Sequence, residues 1–351
     1  MLTLDQVARL SGVSRTTVSR VINNSPHVRP ATRDKVWRVI QETGFQPNLV
    51  ARSLAAGRTR MIGLLIPRPV TNLFNDPYFS VVIQAVASAC NAHDYSVTLW
   101  LAEPTFERHM ARRLLNQTLV DGVIVSSAQL DDPVLHALID SKRPCVVIGR
   151  HAASDCLSYI DVDNRGGAFA AVRHLIDLGR QRIALISGPR NTAPGLDRHE
   201  GYREALAQAG LPYDSALAEE SDFTYEGGCQ AMRRLLNQHP DAVFAGGDIL
   251  AVAALHVIHG AGLKVPEQVA VVGFDDLGLA VSARPPLTTI RQPVHQSGSL
   301  AVETLIDLID HPEHKPRHLV LPTELIVRTS CGARCAQVSD VNCRSTGLET
   351  A

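Results

Sequence analysis

Arg15, Thr16, Ser19 and Arg20 fall within six residues of one another. The apolar residues of the same stretch, Val18, Val21 and Ile22, recur at spacings of three and four, so the stretch reads as a helix with these four side chains opposite its buried stripe. Two guanidiniums and two hydroxyls on so narrow a rod suit the DNA major groove, where guanidinium forks meet guanine acceptors and phosphate oxygens and hydroxyls serve either. The same face also suits a helix that only turns polar groups to solvent. A second set is scattered through the chain, each member directly after an apolar run or where the chain crosses over: Tyr78, Phe79, Ser126, Ala128, Gly149, Arg150, Asp163, Asn164, Thr192, Arg198, Phe223, Asp248, Asp275 and Gln292. Aromatic faces together with planar carboxylate, amide and guanidinium groups match a small polyhydroxylated ring, which has apolar C–H faces and directional hydroxyls. Each also has a plainer duty open to it. Asp163 and Asp248 can cap helices, Phe79 can be core, and Arg198 can pair with Glu200 or Glu204.

The first set needs a small helical unit to hold it. Thr3 opens a helix, with Gln6 placed to complete a capping box and Leu4, Val7 and Ala8 as its buried stripe. Gly12 ends that helix and Ser14 can cap the next, which together make a helix-turn-helix outline. A third helix runs from Pro30 to Thr43, with Val36, Val39 and Ile40 inward and Gly44 then Phe45 closing it; Arg29 is a poor residue for its N-cap. In the following QPNLVARSLAAGRTR, Asn48 can cap and Gly57 can end a helix of about two turns, too short to hold itself together in water. Arg52, Arg58 and Arg60 can neutralise phosphates. Leu54 is either an apolar wedge for a minor-groove step or a side chain resting on the next domain.

The second set needs strand ends. From Met61 onward apolar runs alternate with amphipathic segments: MIGLLIP, a helix from Tyr78 to His93, SVTLWLA, a helix from Phe106 to Gln117, DGVIVSS, a helix from Pro133, and PCVVIG. A second series follows: a helix from Arg165 to Leu178, RIALISG, a helix from Arg198 to Ala209, a strand near Glu220 to Phe223, a helix from Tyr225 to Gln238, DAVFAGG, a helix from Asp248 to Gly260, and VAVVGF. This is βα repetition in two similar lobes, hence parallel sheets covered by helices. A last helix, Val294 to Asp310, and the strand HLVLP are too few for a third lobe and should return to complete the first two. In open α/β sheets ligands sit beyond the carboxyl ends of the strands, where the second set falls.

Charge separates the two parts. The first 60 residues hold ten Lys and Arg against three Asp and Glu, or +7, and the remainder carries −8, so that only the N-terminal piece is built to meet phosphates. No apolar run of signal-peptide kind precedes Thr3 and no stretch nears the length of a membrane span, from which a cytoplasmic location is expected. Seven cysteines, an odd number scattered through the elements, fit reduced thiols. No nucleophile elbow, dinucleotide fingerprint or phosphate-binding loop is present, and pairs such as His199 beside Glu200 repeat no catalytic spacing. The expectation is a protein without enzymatic activity, cofactor or metal.

The run DQVARLSGVSRTTVSRVINNSPHVRPATRDKVWRVIQETGFQPNLVARSLAAGRTRMIGLLIP resembles the DNA-binding headpiece, hinge helix and first core strand of the lactose-repressor/galactose-repressor family of bacterial regulators, and the likeness extends to about residue 330. It implies an all-α helix-turn-helix headpiece over 1–46, a hinge helix and linker over 47–60, and a two-lobed α/β core of periplasmic-binding-protein type over 61–330. The N-lobe would take about 61–160 plus 294–321 and the C-lobe about 161–292 plus 323–330, with three crossovers. Residues 331–351, which include Cys331, Cys335 and Cys343, would form a disordered tail without the leucine heptads of a tetramerising coiled coil. The implied partners are a double-stranded, pseudo-palindromic DNA operator, a second copy of the chain, and a small effector, a sugar or sugar derivative, in the interlobe cleft. Arg15, Thr16 and Arg20 match the base-reading positions, and Leu54 of ARSL the leucine that opens a minor-groove step. The wider DNA-contacting set is Thr3, Ser14, Arg15, Thr16, Thr17, Ser19, Arg20, Asn23, Asn48, Arg52, Leu54 and Ala55. The effector set is the second set above without Gly149. Two departures bear on effector choice: RPVTNLFNDPYF is longer than the shortest family versions, leaving open which of Phe74, Tyr78 and Phe79 faces the ligand, and Phe223 stands where some relatives have Trp. The competing reading is a solute-binding protein or sugar-active enzyme on the same core, and the basic headpiece speaks against it.

Overall fold

The computed structural model describes residues 3–22, 25–45, 58–101, 119–151 and 156–333, and the chain divides into two compact units, Met1–Arg60 and Met61–Ala351. In the N-terminal unit, α1 (Leu4–Ser11) begins with both halves of a capping box. The Thr3 amide donates to Gln6 Oε1 at 2.7 Å and the Gln6 amide to Thr3 Oγ1 at 3.4 Å, satisfying two N–H groups that no helical carbonyl reaches. Gly12, at φ 61°, ends the helix in the left-handed region that glycine enters without cost from a Cβ. Ser14 then accepts from the Thr17 amide at 3.1 Å and starts α2 (Arg15–Ile22). α3 (Pro30–Thr43) has no side-chain cap at Arg29, and Pro30 in its first turn has no N–H to be capped, which removes part of the need. Val7, Val18, Val21 and Val36 are fully buried and, with Ala8, Ile22, Ile40 and Phe45, close one core among the three helices.

The larger unit holds two six-stranded sheets of the same plan. The first comprises β1 (Met61–Ile66), β2 (Ser96–Leu101), β3 (Gly122–Ser126), β4 (Cys145–Ile148), β5 (Ser158–Val162) and β11 (His318–Leu321), in the order β11-β5-β4-β3-β1-β2 and parallel throughout. The second comprises β6 (Ile183–Ser187), β7 (Ala218–Glu220), β8 (Ala242–Ala245), β9 (Ala270–Asp275), β10 (Thr288–Arg291) and β12 (Glu324–Ile326), in the order β12-β10-β9-β8-β6-β7. It is parallel except for the β10–β12 pair. The chain therefore passes between sheets after β5, β10 and β11. The helices are α4 (Val70–Asn75), α5 (Pro77–Ala92), α6 (Pro133–Ser141), α7 (Asn164–Asp177), α8 (Ala193–Gln208), α9 (Tyr225–Leu236), α10 (Asp248–Gly260), α11 (Gly278–Ser282) and α12 (Val294–Asp310). α5 and α12 cover the first sheet with Phe79, Val82, Val86, Val302 and Leu305; α7 with α8, and α9 with α10, cover the two faces of the second. The last helix and HLVLP thus return to the first sheet, as their number demands.

Three strands escape the apolar pattern. β5 reads SYIDV and β10 TTIR, because buried polar residues interrupt them, and β12 reads ELI, with only two apolar residues after an exposed Glu324. Each such group is satisfied locally. Ser158 accepts from the Arg317 amide at 3.0 Å, Thr289 donates to Asp248 at 2.6 Å, and Thr288 donates to the Arg328 carbonyl at 3.0 Å. α8 starts at Ala193, five residues before Arg198, with Thr192 capping the Gly195 amide at 3.3 Å. The strand expected near Glu220 to Phe223 lies instead at Ala218–Glu220. Cys331 is not part of a tail: it is fully buried, with Sγ 3.3 Å from His174 Nε2. The helix expected over 106–117 lies outside the described residues.

The α7–α8 contact offers a test of this packing. A Cβ added at Gly201 would sit 2.2 Å from the Arg165 carbonyl and 2.9 Å from Ala168 Cβ. Gly201→Ala should therefore force the two helices apart and cost about 1–3 kcal/mol, read as a lower urea midpoint with unchanged slope; an unshifted midpoint would show that the contact yields freely.

Candidate ligand cleft and helical reading face

The carboxyl ends of both sheets face one cleft, which encloses about 980 Å³ including the solvent at its mouth. At its floor lies Arg198 of α8, 5% exposed. Its Nε donates to Asn164 Oδ1 at 2.9 Å, Nη1 donates to the Gly246 carbonyl at 2.6 Å and lies 3.7 Å from Asp275 Oδ1, and the guanidinium plane stacks 3.6 Å over the Phe274 ring. Burial pulls the Arg198 pKa down, and the Asp275 carboxylate opposes it. Burial likewise raises Asp275 to about 7, against the pull of Arg198 and the hydrogen bond from Gln292 Nε2.

The other lobe contributes a matching network. Asp161 accepts from the Val162 amide at 2.8 Å and from Asn164 Nδ2 at 3.0 Å, and burial raises its carboxyl to about 6. Arg150 lies 3.9 Å from Asp161 and reaches across the cleft to donate to Asp197 of α8 at 2.7 Å. A backbone bond from Leu130 to the Asn191 carbonyl, 2.7 Å, also ties the lobes. Arg68 beyond β1 feels Asp222 and Asp76, which offset part of the lowering that burial imposes on it. Two aromatic surfaces border these groups. Tyr78 and Phe79 meet edge to face at 5.4 Å, and the Phe223 ring occupies the space over Gly188, where a Cβ would lie 1.9 Å from it. Ser127, Phe223 and Asp275 all hold positive φ, of 62°, 63° and 121°. Such backbone clusters where surrounding structure aims side chains at a site.

Of the residues expected here, Tyr78, Phe79, Ala128, Arg150, Asn164, Thr192, Arg198, Phe223, Asp275 and Gln292 line the cleft. Three do not. Ser126 is fully buried at the end of β3, and Ser127 takes its place on the wall. Asp163 turns outward and caps α7 by accepting from the Gly166 amide at 2.8 Å. Asp248 is buried behind the wall, held by Thr289 and by the Leu277 amide at 3.2 Å. Phe74 is 73% exposed and outside the lining, so Tyr78 and Phe79 are the ones that face inward. Arg68, Asp76, Asp161 and Asp222 were not anticipated. Arg68 follows β1 and Asp222 precedes Phe223, so the strand-end rule reaches both; Asp161 was hidden with its strand.

In the N-terminal unit Arg15, Thr16 and Arg20 are exposed on one face of α2, with Thr17 and Ser19 half-buried beside them. Arg15 lies 3.8 Å from Asp5. Thr3 and Ser14, both exposed, serve as caps. Asn23, Asn48, Arg52, Leu54 and Ala55 lie outside the described residues.

Residues 3–48 match the model of bacterial regulatory proteins of the lacI family, and residues 172–331 that of a periplasmic binding protein-like domain. The HTH-type transcriptional regulator CelR of Thermobifida fusca is 41% identical over 332 residues, covering 93% of this chain and 98% of its own. The chain belongs to the lacI family. Among solved structures, a CelR–cellobiose complex shares 39% identity with a TM-score of 0.75, covering 94% of this chain and 100% of its own. The Lac repressor dimer bound to operator and the anti-inducer ONPF shares 29% with a TM-score of 0.83, covering 95% and 99%. This lacI-family chain is a DNA-binding transcriptional regulator with a helix-turn-helix unit and a two-lobed sensor core. Among the described residues no helix is long and apolar enough to cross a membrane.

The raised Asp275 carboxyl has a thermodynamic consequence. Its folded-state value of about 7 lies above the ordinary 3.8, so the native protein holds an extra proton between about pH 4 and 7, and stability falls as pH rises through that window. Asp275→Asn should flatten this part of the profile, seen as a smaller difference in urea midpoint between about pH 5 and pH 8; an equal slope in the variant would mean that the carboxyl titrates normally.

Proposed function

We propose that this regulator binds a pseudo-palindromic operator as a dimer, represses from it, and is controlled by an uncharged sugar or sugar derivative held between its lobes. The observation that carries the effector class is the pairing in the cleft: Arg150 donates to Asp197, Arg198 lies 3.7 Å from Asp275 and Arg68 feels the charges of Asp222 and Asp76, while Phe223, Tyr78 and Phe79 offer ring faces. Such a site has directional donors and acceptors for hydroxyls and no spare positive charge for an anion. The cellobiose bound by its relative CelR is of this class. Arg198, Asp275, Gln292, Asn164, Asp161 and Arg150 would take hydroxyls and Phe223 a sugar face. This exchange of hydrogen bonds calls for no catalytic group, and we assign the protein no enzymatic activity and a cytoplasmic place beside its DNA.

On the DNA side Arg15, Thr16 and Arg20 are assigned to base edges, and Thr3, Ser14, Thr17, Ser19, Asn23, Asn48, Arg52 and Ala55 to the backbone or its immediate surroundings, with Leu54 in the minor groove. Ligand and DNA then act on each other through one conformational equilibrium, by equal factors.

Selection from random duplexes should return a two-fold symmetric site, and Arg20→Ala should weaken binding to that site by about 10- to 100-fold while leaving non-specific binding nearly intact. Equal loss on both kinds of DNA would remove Arg20 from base reading. A thermal-shift panel of neutral sugars, sugar phosphates and nucleobases tests the effector class, since a ligand of the native state alone raises its melting temperature. Neutral sugars should shift it; a shift with nucleobases only would overturn the assignment.

A further inference from the structure

The residues that follow α12, His311-Pro312-Glu313-His314, carry two imidazoles and a carboxylate into one tight turn. The His314 amide donates to the His311 carbonyl at 3.0 Å, which closes the turn, and Pro312 stands at its second position, where the fixed φ of proline suits it. Neither end of the turn is loose. The His311 amide donates to the Asp307 carbonyl at 2.8 Å and caps a 17-residue helix whose Val302 and Leu305 are fully buried. On the other side the Arg317 amide donates to Ser158 Oγ at 3.0 Å, and the Arg317 carbonyl accepts from the Tyr159 amide at 2.9 Å, both on β5.

On this turn His311 Nδ1 lies 3.6 Å from Glu313 Oε1, and one ligand atom from each of His311, Glu313 and His314 lies within 4.8 Å of the other two. The two imidazole rings stack at 4.8 Å between centroids, with 26° between their planes. Around a tetrahedral zinc ion, nitrogen and oxygen ligands stand about 3.3 Å apart. Small rotations of three exposed side chains therefore bring them to a common centre. Metal-binding imidazoles are held in place by a carboxylate on their other nitrogen. Asp307 stands in that position for His314, 2.9 Å from Nδ1, and is itself held by Arg317 Nη2 at 2.9 Å. By accepting from one nitrogen it leaves the other with the lone pair that a metal requires. The carboxyl end of α12 adds the negative end of its helix dipole beside the turn.

We infer that the turn after α12 binds a divalent ion of the zinc type, held by His311, Glu313 and His314 with water in the fourth position. Two imidazoles and one carboxylate select zinc, nickel or copper over magnesium and calcium, which take oxygen ligands. The site runs against the expectation of a metal-free protein, because histidines three residues apart in a loop fall outside the common zinc spacings. The turn precedes β11 and so lies at the amino ends of the parallel strands of the first sheet, opposite the cleft. The ion braces the connection from α12 to β11 without entering the effector site.

Competition of the full-length, reduced protein against a chromophoric zinc chelator tests this, with Mg²⁺ and Ca²⁺ titrated alongside Zn²⁺. The wild type should bind one Zn²⁺ equivalent more than the double variant His311→Ala/His314→Ala, a difference that cysteine sites elsewhere in the chain leave untouched. Asp307→Asn should weaken that equivalent by about 10- to 100-fold, and Glu313→Gln by at least about tenfold. A melting temperature taken without metal checks that each variant is folded. Equal Zn²⁺ stoichiometry and affinity in the wild type and the double variant overturn the site, and so does Mg²⁺ or Ca²⁺ binding as tight as Zn²⁺. No sugar enters the measurement, so its outcome is independent of the effector reading.

Discussion

The burial of the Arg198 guanidinium sets the terms for the rest of the cleft. A buried cation without partners is among the most costly things a fold can contain, and it is tolerated when its donors are filled and a counter-charge is near. Here the partners come from separate places in the chain: Asn164 at the first crossover, the Gly246 carbonyl after β8, Asp275 at the end of β9, and the Phe274 ring below. Asp275 in turn takes Gln292, which follows β10 at the next crossover. Satisfying one side chain thus gathers the strand ends and two of the three passages between lobes around a single point. A ligand that enters must trade hydrogen bonds with a network in which the Nε and Nη1 donors of Arg198 are already engaged, so affinity and selectivity rest on geometry more than on net charge.

The same network explains why the cleft can serve as a sensor. Arg150 and Asp197 join the lobes from opposite sides, as do Leu130 and Asn191, while the passages between sheets are short segments at strand ends. Two rigid sheets joined by short passages and a few polar ties have discrete arrangements available to them, and a ligand biases these by its difference in affinity between them. Identical strand order in the two sheets means that both lobes present the same edge, the carboxyl ends of their parallel strands, to that ligand.

Much of this was legible in the residues alone. The three headpiece helices follow from Thr3, Gly12, Ser14 and Pro30 and from apolar spacings of three and four, and the βα alternation from runs such as MIGLLI and VAVVGF. What was not legible has a common cause. Ser158, Asp161, Thr288 and Thr289 are polar residues buried inside strands, and each makes its strand look like loop until the partner is seen. The strand-end rule placed Arg198, Phe223, Asp275 and Gln292 in the cleft. It could not tell which of two neighbours turns inward at Ser126–Ser127, nor that Asp163 and Asp248 are consumed by a helix cap and a strand hydroxyl. Those choices depend on local backbone dihedrals, such as the 62° φ at Ser127, which leave no mark on composition or period.

The central claim is that occupancy of the cleft and hold on DNA are two readouts of one equilibrium. Reciprocity tests it most directly: the dissociation constant of the tightest-binding sugar is measured on the free protein and on the protein saturated with its selected duplex. The account predicts that the two constants differ, by the same factor as that by which the sugar changes the affinity for DNA. Equal constants, with DNA affinity unaffected by the sugar, would contradict it and leave the two units functionally independent.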